Sequence, residues 1–418
     1  MQIDTKLDFN LISVEQAETV HVLLELTAPE LAAERRRDSV TLQVVLDRSG
    51  SMANGQLLAA LQAIDSLLGR LRPDDRFGLV IFDEQIEVPV AAAALGDARR
   101  ARAALRHVGP GGMTNLAGGL LRGIQEARRV AGSGGATLVL LSDGHANRGV
   151  TEHPSLAEFA AGAYDARIST STIGIGHGYD EDLLAAISRG GQGNAHFAEH
   201  GDAAGGKLAS EVDGLLEQSV QAASLTVRPG QAVSAIRLFN DLPTSEIDGG
   251  FMVELGDLSG SETRRLLLEI DVPAIAELGA ASACELELRW VEIESKQSKL
   301  ATIPVNVNVV PGDQAAGRVR DADVETELAF QEAQRAKSAA TDALRDGDVR
   351  RASDSYRAAS LRLGKARAGA SPGMVAELDE EVRVLARLAD QAESDAQRTR
   401  KAARADHHMK ARKRGRRR

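Results

Sequence analysis

Val44-Val45-Leu46-Asp47-Arg48-Ser49-Gly50-Ser51-Met52 (44–52) decides how this chain is read. Leu42 to Leu46 is a short apolar run rich in β-branched residues, long enough for a buried strand of a parallel sheet and too short for a core helix. A polar loop follows directly. It places Asp47, Ser49 and Ser51 at every second position, and a helical pattern begins near Asn54 and runs to about Arg70. Alternate positions on an extended loop face one way, so a carboxylate and two hydroxyls converge above the carboxyl end of the strand. Oxygen donors of that kind suit a hard cation.

Two further stretches complete the set. Gly111-Gly112-Met113-Thr114-Asn115 precedes the helical pattern from Leu116 to Val130, which places Thr114 on a loop just before a helix start. Ala136 to Leu141 is another buried-strand run, and it ends in Ser142-Asp143-Gly144. In an open α/β sheet, residues just past the carboxyl ends of neighbouring parallel strands share one crevice. Asp47, Ser49, Ser51, Thr114 and Asp143 are therefore expected around one ion.

The segments D-R-S-G-S (47–51), G-G-M-T-N (111–115) and L-S-D-G (141–144) resemble the three metal-site segments of a von Willebrand factor type A domain, here of the bacterial intracellular type. The resemblance runs through about residues 38 to 221. It implies a doubly wound, mostly parallel, Rossmann-like α/β sheet. It also implies a metal-ion-dependent adhesion site, in which Asp47, Ser49, Ser51, Thr114 and Asp143 hold Mg²⁺ (or Mn²⁺) directly or through water. A carboxylate from a protein partner takes the remaining position, with Arg48, Met113 and His145 lining the rim. The chemistry agrees, because Mg²⁺ takes near-octahedral oxygen ligands at about 2.0–2.1 Å and sheds water reluctantly. Three neutral hydroxyls and two carboxylates leave room for an incoming acid, whereas a fully anionic cage repels one. The resemblance further implies that the closing helix, 202–221, shifts when the site is filled.

At 418 residues the chain has room for two or three cores. Aromatic residues make up only 3%, so those cores are expected to be Ala, Val, Leu and Ile. The lone cysteine, Cys284, has no internal partner for a disulfide, which argues for a reducing compartment or indifference to redox state. Met1 to Asn10 carries neither a basic start nor an apolar core segment, and no run approaches ~18 apolar residues; the expected location is cytoplasmic. The net charge of −10 hides an asymmetry, since ten Lys or Arg stand against Asp406 alone from Arg400 onward.

Around the metal-site domain (38–221) the pattern changes. Residues 1–37 hold two strands, 4–14 and 19–27, expected to pair into an antiparallel β-sandwich at 222–311, whose period-two segments are separated by turn clusters. His21, inside the second strand, has no Cys or second His spaced to join it and is expected to be packed or at the surface. Asp83-Glu84-Gln85 reads as a hairpin turn. Residues 318–404 are Ala, Glu, Arg and Leu-rich and read as three helices, 323–346, 348–363 and 374–403. The basic tail, 405–418, is expected to be disordered and available for electrostatic contact with nucleic acid or another anionic surface. Gly201 to Lys207 mimics a phosphate loop, but Leu208 follows the lysine where a Ser or Thr hydroxyl is needed.

Three functions compete on this reading. One is a Mg²⁺-dependent protein-binding module. A second is a metal-dependent hydrolase, for which no H-E-x-x-H or G-x-S-x-G motif appears, so no enzyme is expected. The third is a scaffold tethered by its basic tail.

Overall fold

The computed structural model describes residues 1–31, 38–53, 55–143, 146–176, 179–198, 201–231, 233–274 and 277–412. The chain forms two compact units, one built mainly from residues 1–33 and 218–403, the other mainly from 34–217. It opens with β1 (Gln2–Leu7), β2 (Leu11–Ser13) and β3 (Glu18–Thr27). The second unit follows as β4 (Thr41–Asp47), α1 (Gln56–Leu68), β5 (Arg76–Phe82), β6 (Ile86–Ala94), α2 (Arg99–Leu105), α3 (Leu116–Val130), β7 (Ala136–Ser142), α4 (His153–Tyr164), β8 (Ile168–Ile175), α5 (Glu181–Gly190), β9 (Gln192–Ala198) and α6 (Gly201–Leu216).

Its sheet has the order β6-β5-β4-β7-β8-β9, and every pair is parallel except β5 with β6. β4 and β7 are buried along their whole length, as expected of strands covered on both faces by helices. Side chains of α1, α2 and α6 pack on one face, and those of α3, α4 and α5 on the other. The chain leaves β4 for β5 on one side and returns through β7 on the other. That reversal is the switch point where doubly wound sheets bind ligands. α3 lies close over β4 because Gly123 has no side chain; a Cβ there would come within 2.3 Å of Val45 Cγ2.

The expected closing helix, 202–221, is shorter: α6 ends at Leu216, and Gln218 already begins β10 (Gln218–Pro229). Val220, Ala223, Leu225 and Val227 of β10 are buried in the sandwich core, and that burial overrides any helical continuation. Residues 201–207 lie inside α6, so the phosphate-loop mimic is helical.

β11 (Ala235–Leu238), β12 (Thr244–Ile247), β13 (Gly250–Ser259), β14 (Thr263–Val272), β15 (Gly279–Glu292) and β16 (Gln297–Val310) complete the sandwich. One sheet runs β1-β3-β14-β11 and the other β12-β13-β10-β15-β16-β2, sharing one apolar core. β3 pairs with β14 along its length, from Thr27↔Thr263 to Glu18↔Val272. The sandwich departs from a purely antiparallel arrangement where β2 runs parallel to β16. The strand expected over 4–14 is broken at Asp8, whose Oδ1 accepts from the backbone N–H groups of Phe9 and His21, both at 2.9 Å. Its Oδ2 lies 3.0 Å from His21 Nδ1, so the histidine is packed. Cys284 is buried in the same core, which pushes its thiol up to about 12.

The helical region comprises α7 (Gly312–Ala315), α8 (Ala322–Arg345), α9 (Val349–Ala366), α10 (Pro372–Ser394) and α11 (Ala396–Arg412). Val324 of α8 packs with Leu23, Phe239 and Leu267 of the sandwich. The helix expected over 374–403 is two helices. Asp395 leaves helical geometry at φ −151° and caps the next helix by accepting from Arg398 N at 3.0 Å. The tail expected to be disordered from 405 is helical through Arg412, and residues 413–418 lie outside the described residues. Composition concealed this because the partner is remote: buried Glu381 of α10 accepts from Lys410 at 2.5 Å, from Gln334 at 2.8 Å, and from buried Lys337.

Candidate metal centre

β4 and β7 run in register, Leu46 opposite Leu141, so their last residues end side by side. Ser142 Oγ donates to Asp47 Oδ2 at 2.6 Å, and Asp47 Oδ1 accepts from Ser49 N at 2.8 Å. Ser49 Oγ lies 3.1 Å from Ser51 Oγ, which donates to Asp143 Oδ1 at 2.8 Å. Four of the five expected side chains thus form one continuous cluster. Thr114 is reached through backbone: Gly50 N donates to Gly112 O at 3.0 Å, and Gly111 N to Arg48 O at 2.7 Å. The hydroxyl-bearing residue itself is buried, and its N–H donates to Asn147 Oδ1 at 2.9 Å while its carbonyl accepts from Asn147 N at 3.2 Å. Asn115 starts α3 by accepting from Gly118 N at 3.0 Å. Arg48 and Met113 stand at the edge, Met113 with 47% of its surface exposed. His145 lies outside the described residues.

Asp47 is fully buried and Asp143 nearly so. Burial raises the carboxyl of Asp47, more than its hydrogen bonds from Ser142 and Ser49 lower it. Asp143 is pushed up to about 6, first by burial, and further by the charge on Asp47. Neither carboxylate has a cationic partner among the described residues. Two unneutralised acids ringed by hydroxyl oxygens are the donor set of a hard, oxygen-seeking divalent ion, so Mg²⁺ or Mn²⁺ fits these residues. The described residues contain no cluster of three or more His, Cys, Asp or Glu side chains arranged for a metal; hydroxyls supply most of the donors here.

Three residues that hold the cluster escape a reading of the sequence. Ser142 follows the strand apolar run and orients Asp47. Asn147, on the loop after Asp143, fixes Thr114. Asp83, read as turn chemistry, does accept from Gln85 N at 2.6 Å, yet its other oxygen accepts from Gly112 N at 3.2 Å. Gly111 is required beside it, because a Cβ there would fall 1.7 Å from Asp83 Oδ2. Gly111→Ala is expected to cost about 1–3 kcal/mol of stability through this overlap, measured by urea denaturation of the metal-free protein.

Residues 42–209, which carry the Ser, Thr and Asp loops at the switch point of the doubly wound sheet, match the sequence model of the von Willebrand factor type A domain. Such domains commonly mediate protein–protein interaction. The chain is 26% identical over 285 residues to the uncharacterized protein sll0103 of Synechocystis sp., covering 66% of this chain and 67% of that one. It is 31% identical over 162 residues to inter-alpha-trypsin inhibitor heavy chain H1 of Mesocricetus auratus, a match that spans 36% of this chain but only 17% of the relative. Among solved structures, a von Willebrand factor type A protein from Catenulispora acidiphila superposes with a TM-score of 0.70 at 16% identity, covering 92% of this chain and 88% of that one. The ArnB paralog VWA2 from Sulfolobus acidocaldarius gives 0.64 at 14% identity, over 96% and 97%. Both share the fold. No helix among the described residues is long and apolar enough to cross a membrane.

Proposed function

We propose that the domain is a Mg²⁺-dependent (or Mn²⁺-dependent) protein-binding module that captures an acidic residue of a partner. The observation that carries this reading is the unbroken contact path from Ser142 through Asp47 and Ser49 to Ser51 and Asp143, which concentrates at the switch point two carboxylates that have no cationic partner among the described residues. Asp47, Ser49, Ser51, Thr114 and Asp143 would hold the ion. A divalent ion bound there supplies a hard Lewis-acidic position to which an outside carboxylate adds. The chain's own residues do the rest. Two acids neutralise the ion without leaving surplus negative charge to repel a carboxylate, the neutral hydroxyls satisfy it without adding charge, and Met113 offers a partner apolar surface beside the site.

Thr114→Ala is expected to weaken Mn²⁺ binding at least tenfold, because the hydroxyl is lost while the hydrogen bonds of the residue's backbone to Asn147 remain. Titration followed by the free Mn²⁺ signal measures it, and retention of partners on immobilised protein in Mg²⁺ but not in chelator should fall in parallel. Unchanged affinity removes Thr114 from the ligand set. Binding, not turnover, is the proposed activity; Mg²⁺-dependent hydrolysis of a generic phosphoester by the intact protein, lost in Asp47→Ala, overturns it.

A further inference from the structure

Asp83 sits at the tip of the β5–β6 hairpin, a position that calls for an exposed acid, and yet it is 5% exposed. Its two carboxylate oxygens serve different loops. Oδ1 accepts from Gln85 N and closes its own turn. Oδ2 accepts from Gly112 N, and the same oxygen lies 3.3 Å from Arg48 Nε. Its backbone carbonyl accepts from Asn115 N at 2.9 Å. The contacts at Gly112 and Asn115 bracket Met113 and Thr114, while the ion pair seizes the residue between Asp47 and Ser49. Arg48 Nη2 reaches Glu87 at 2.6 Å on the next strand, and Arg48 N donates to Phe82 O at 2.8 Å. One side chain therefore ties together the Asp47 loop, the Thr114 loop and the edge hairpin.

Resting on the metal-site reading, we infer that Asp83 is a positioning residue: it touches neither ion nor partner, and it sets the Thr114 loop, with the partner-facing Met113, at the height where the hydroxyl meets the ion. Only a carboxylate does this. Both oxygens accept from N–H groups, so an amide must turn its own NH₂ toward one of them and lose that bond. The turn oxygen is held by the tight geometry of 83–85, so the bond sacrificed is the one to Gly112. Asn at 83 also drops the ion pair to Arg48 and loosens the second loop at the same time. Orienting groups behind metal ligands govern affinity by about 10–100-fold.

The test uses the full chain as wild type, Asp83→Asn, Asp83→Ser, and Glu84→Gln as a control from the same turn. Hydrogen exchange without metal should speed up at the amides of 112–115 in both Asp83 variants, while the rest of the sheet exchanges as in wild type. Mn²⁺ titration should show affinity lowered about tenfold, with a changed lineshape of bound Mn²⁺ in electron paramagnetic resonance, and Glu84→Gln should match wild type in both. Unchanged exchange at 112–115 overturns the inference. So does faster exchange with wild-type Mn²⁺ affinity, which leaves Asp83 a structural residue only. If the wild type itself binds no Mn²⁺, the proposed function falls, and the exchange measurement alone then decides whether Asp83 holds the loop.

Discussion

Replacing Asp47 with Asn is expected to raise the melting temperature of the metal-free protein and to abolish the response to Mg²⁺ that the proposed site implies. The two effects have opposite signs and one cause. Asp47 is a fully buried anion whose ionisation burial opposes, and Asp83 and Asp143 add repulsion. An amide keeps the shape of the site. Its oxygen still accepts from Ser49 N, and its NH₂ donates to Ser142 Oγ, a hydroxyl able to accept. The hydrogen bonds survive and the charge that burial opposes disappears, so the metal-free fold gains. The same deletion would leave a bound ion with one carboxylate. A ligand at a hundred times its dissociation constant stabilises a fold by about 2.7 kcal/mol, and a domain of this size gains roughly 2–4 °C per kcal/mol. Scanning wild type and Asp47→Asn with and without Mg²⁺ separates the terms. A variant that melts below wild type without metal, or still rises with Mg²⁺, defeats the assignment.

Lowering the pH from 7.5 to 5 is expected to weaken the stabilisation by Mg²⁺ while making the metal-free fold more stable at this site. Asp143 is raised from 3.8 to about 6 in the fold. An acid whose folded pKa exceeds its unfolded value binds its proton more tightly when folded. Its contribution is therefore fully present below about pH 4 and is lost as pH rises through about 6. A divalent ion requires the deprotonated form and competes with that proton, so apparent affinity falls by about tenfold per pH unit below the folded pKa for each proton displaced. Asp47, raised for the same reason, steepens the fall. Asp143→Asn isolates the effect: the difference in metal-free melting temperature between it and wild type should shrink toward pH 5. A Mg²⁺ response equal at pH 5 and pH 7.5 contradicts the assignment of the two acids as ligands.

Much of the parallel-sheet domain is written locally. The runs at 42–46 and 136–141 admit little but buried strands, and Asn115 marks the start of α3 by its side-chain cap. The convergence of Asp47, Ser49, Ser51 and Asp143 follows from two strands being neighbours, which the alternation of strand and helix implies. What stayed illegible depends on distant partners. Asp83 satisfies its turn with one oxygen, so nothing nearby in sequence shows that the other reaches Gly112, 29 positions away. The end of α6 is set by the sandwich core that receives Val220, and the basic helix α11 by Glu381, 29 positions from Lys410. The parallel pairing of β2 with β16 has no local signature at all.

The pairing of β3 with β14 sets an order of events at the ribosome. Thr27 and Thr263, whose hydroxyls meet at 3.1 Å, are 236 positions apart. At about 5–20 residues per second, roughly 10 to 50 seconds of synthesis separate the two. Throughout that interval the apolar row Val20, Val22, Leu24 and Leu26 has β1 beside it but lacks β14, while the parallel-sheet unit emerges whole. The nascent chain thus carries a sticky, half-built sheet ahead of the parallel-sheet unit, and the sandwich closes only after the inserted domain has already been made.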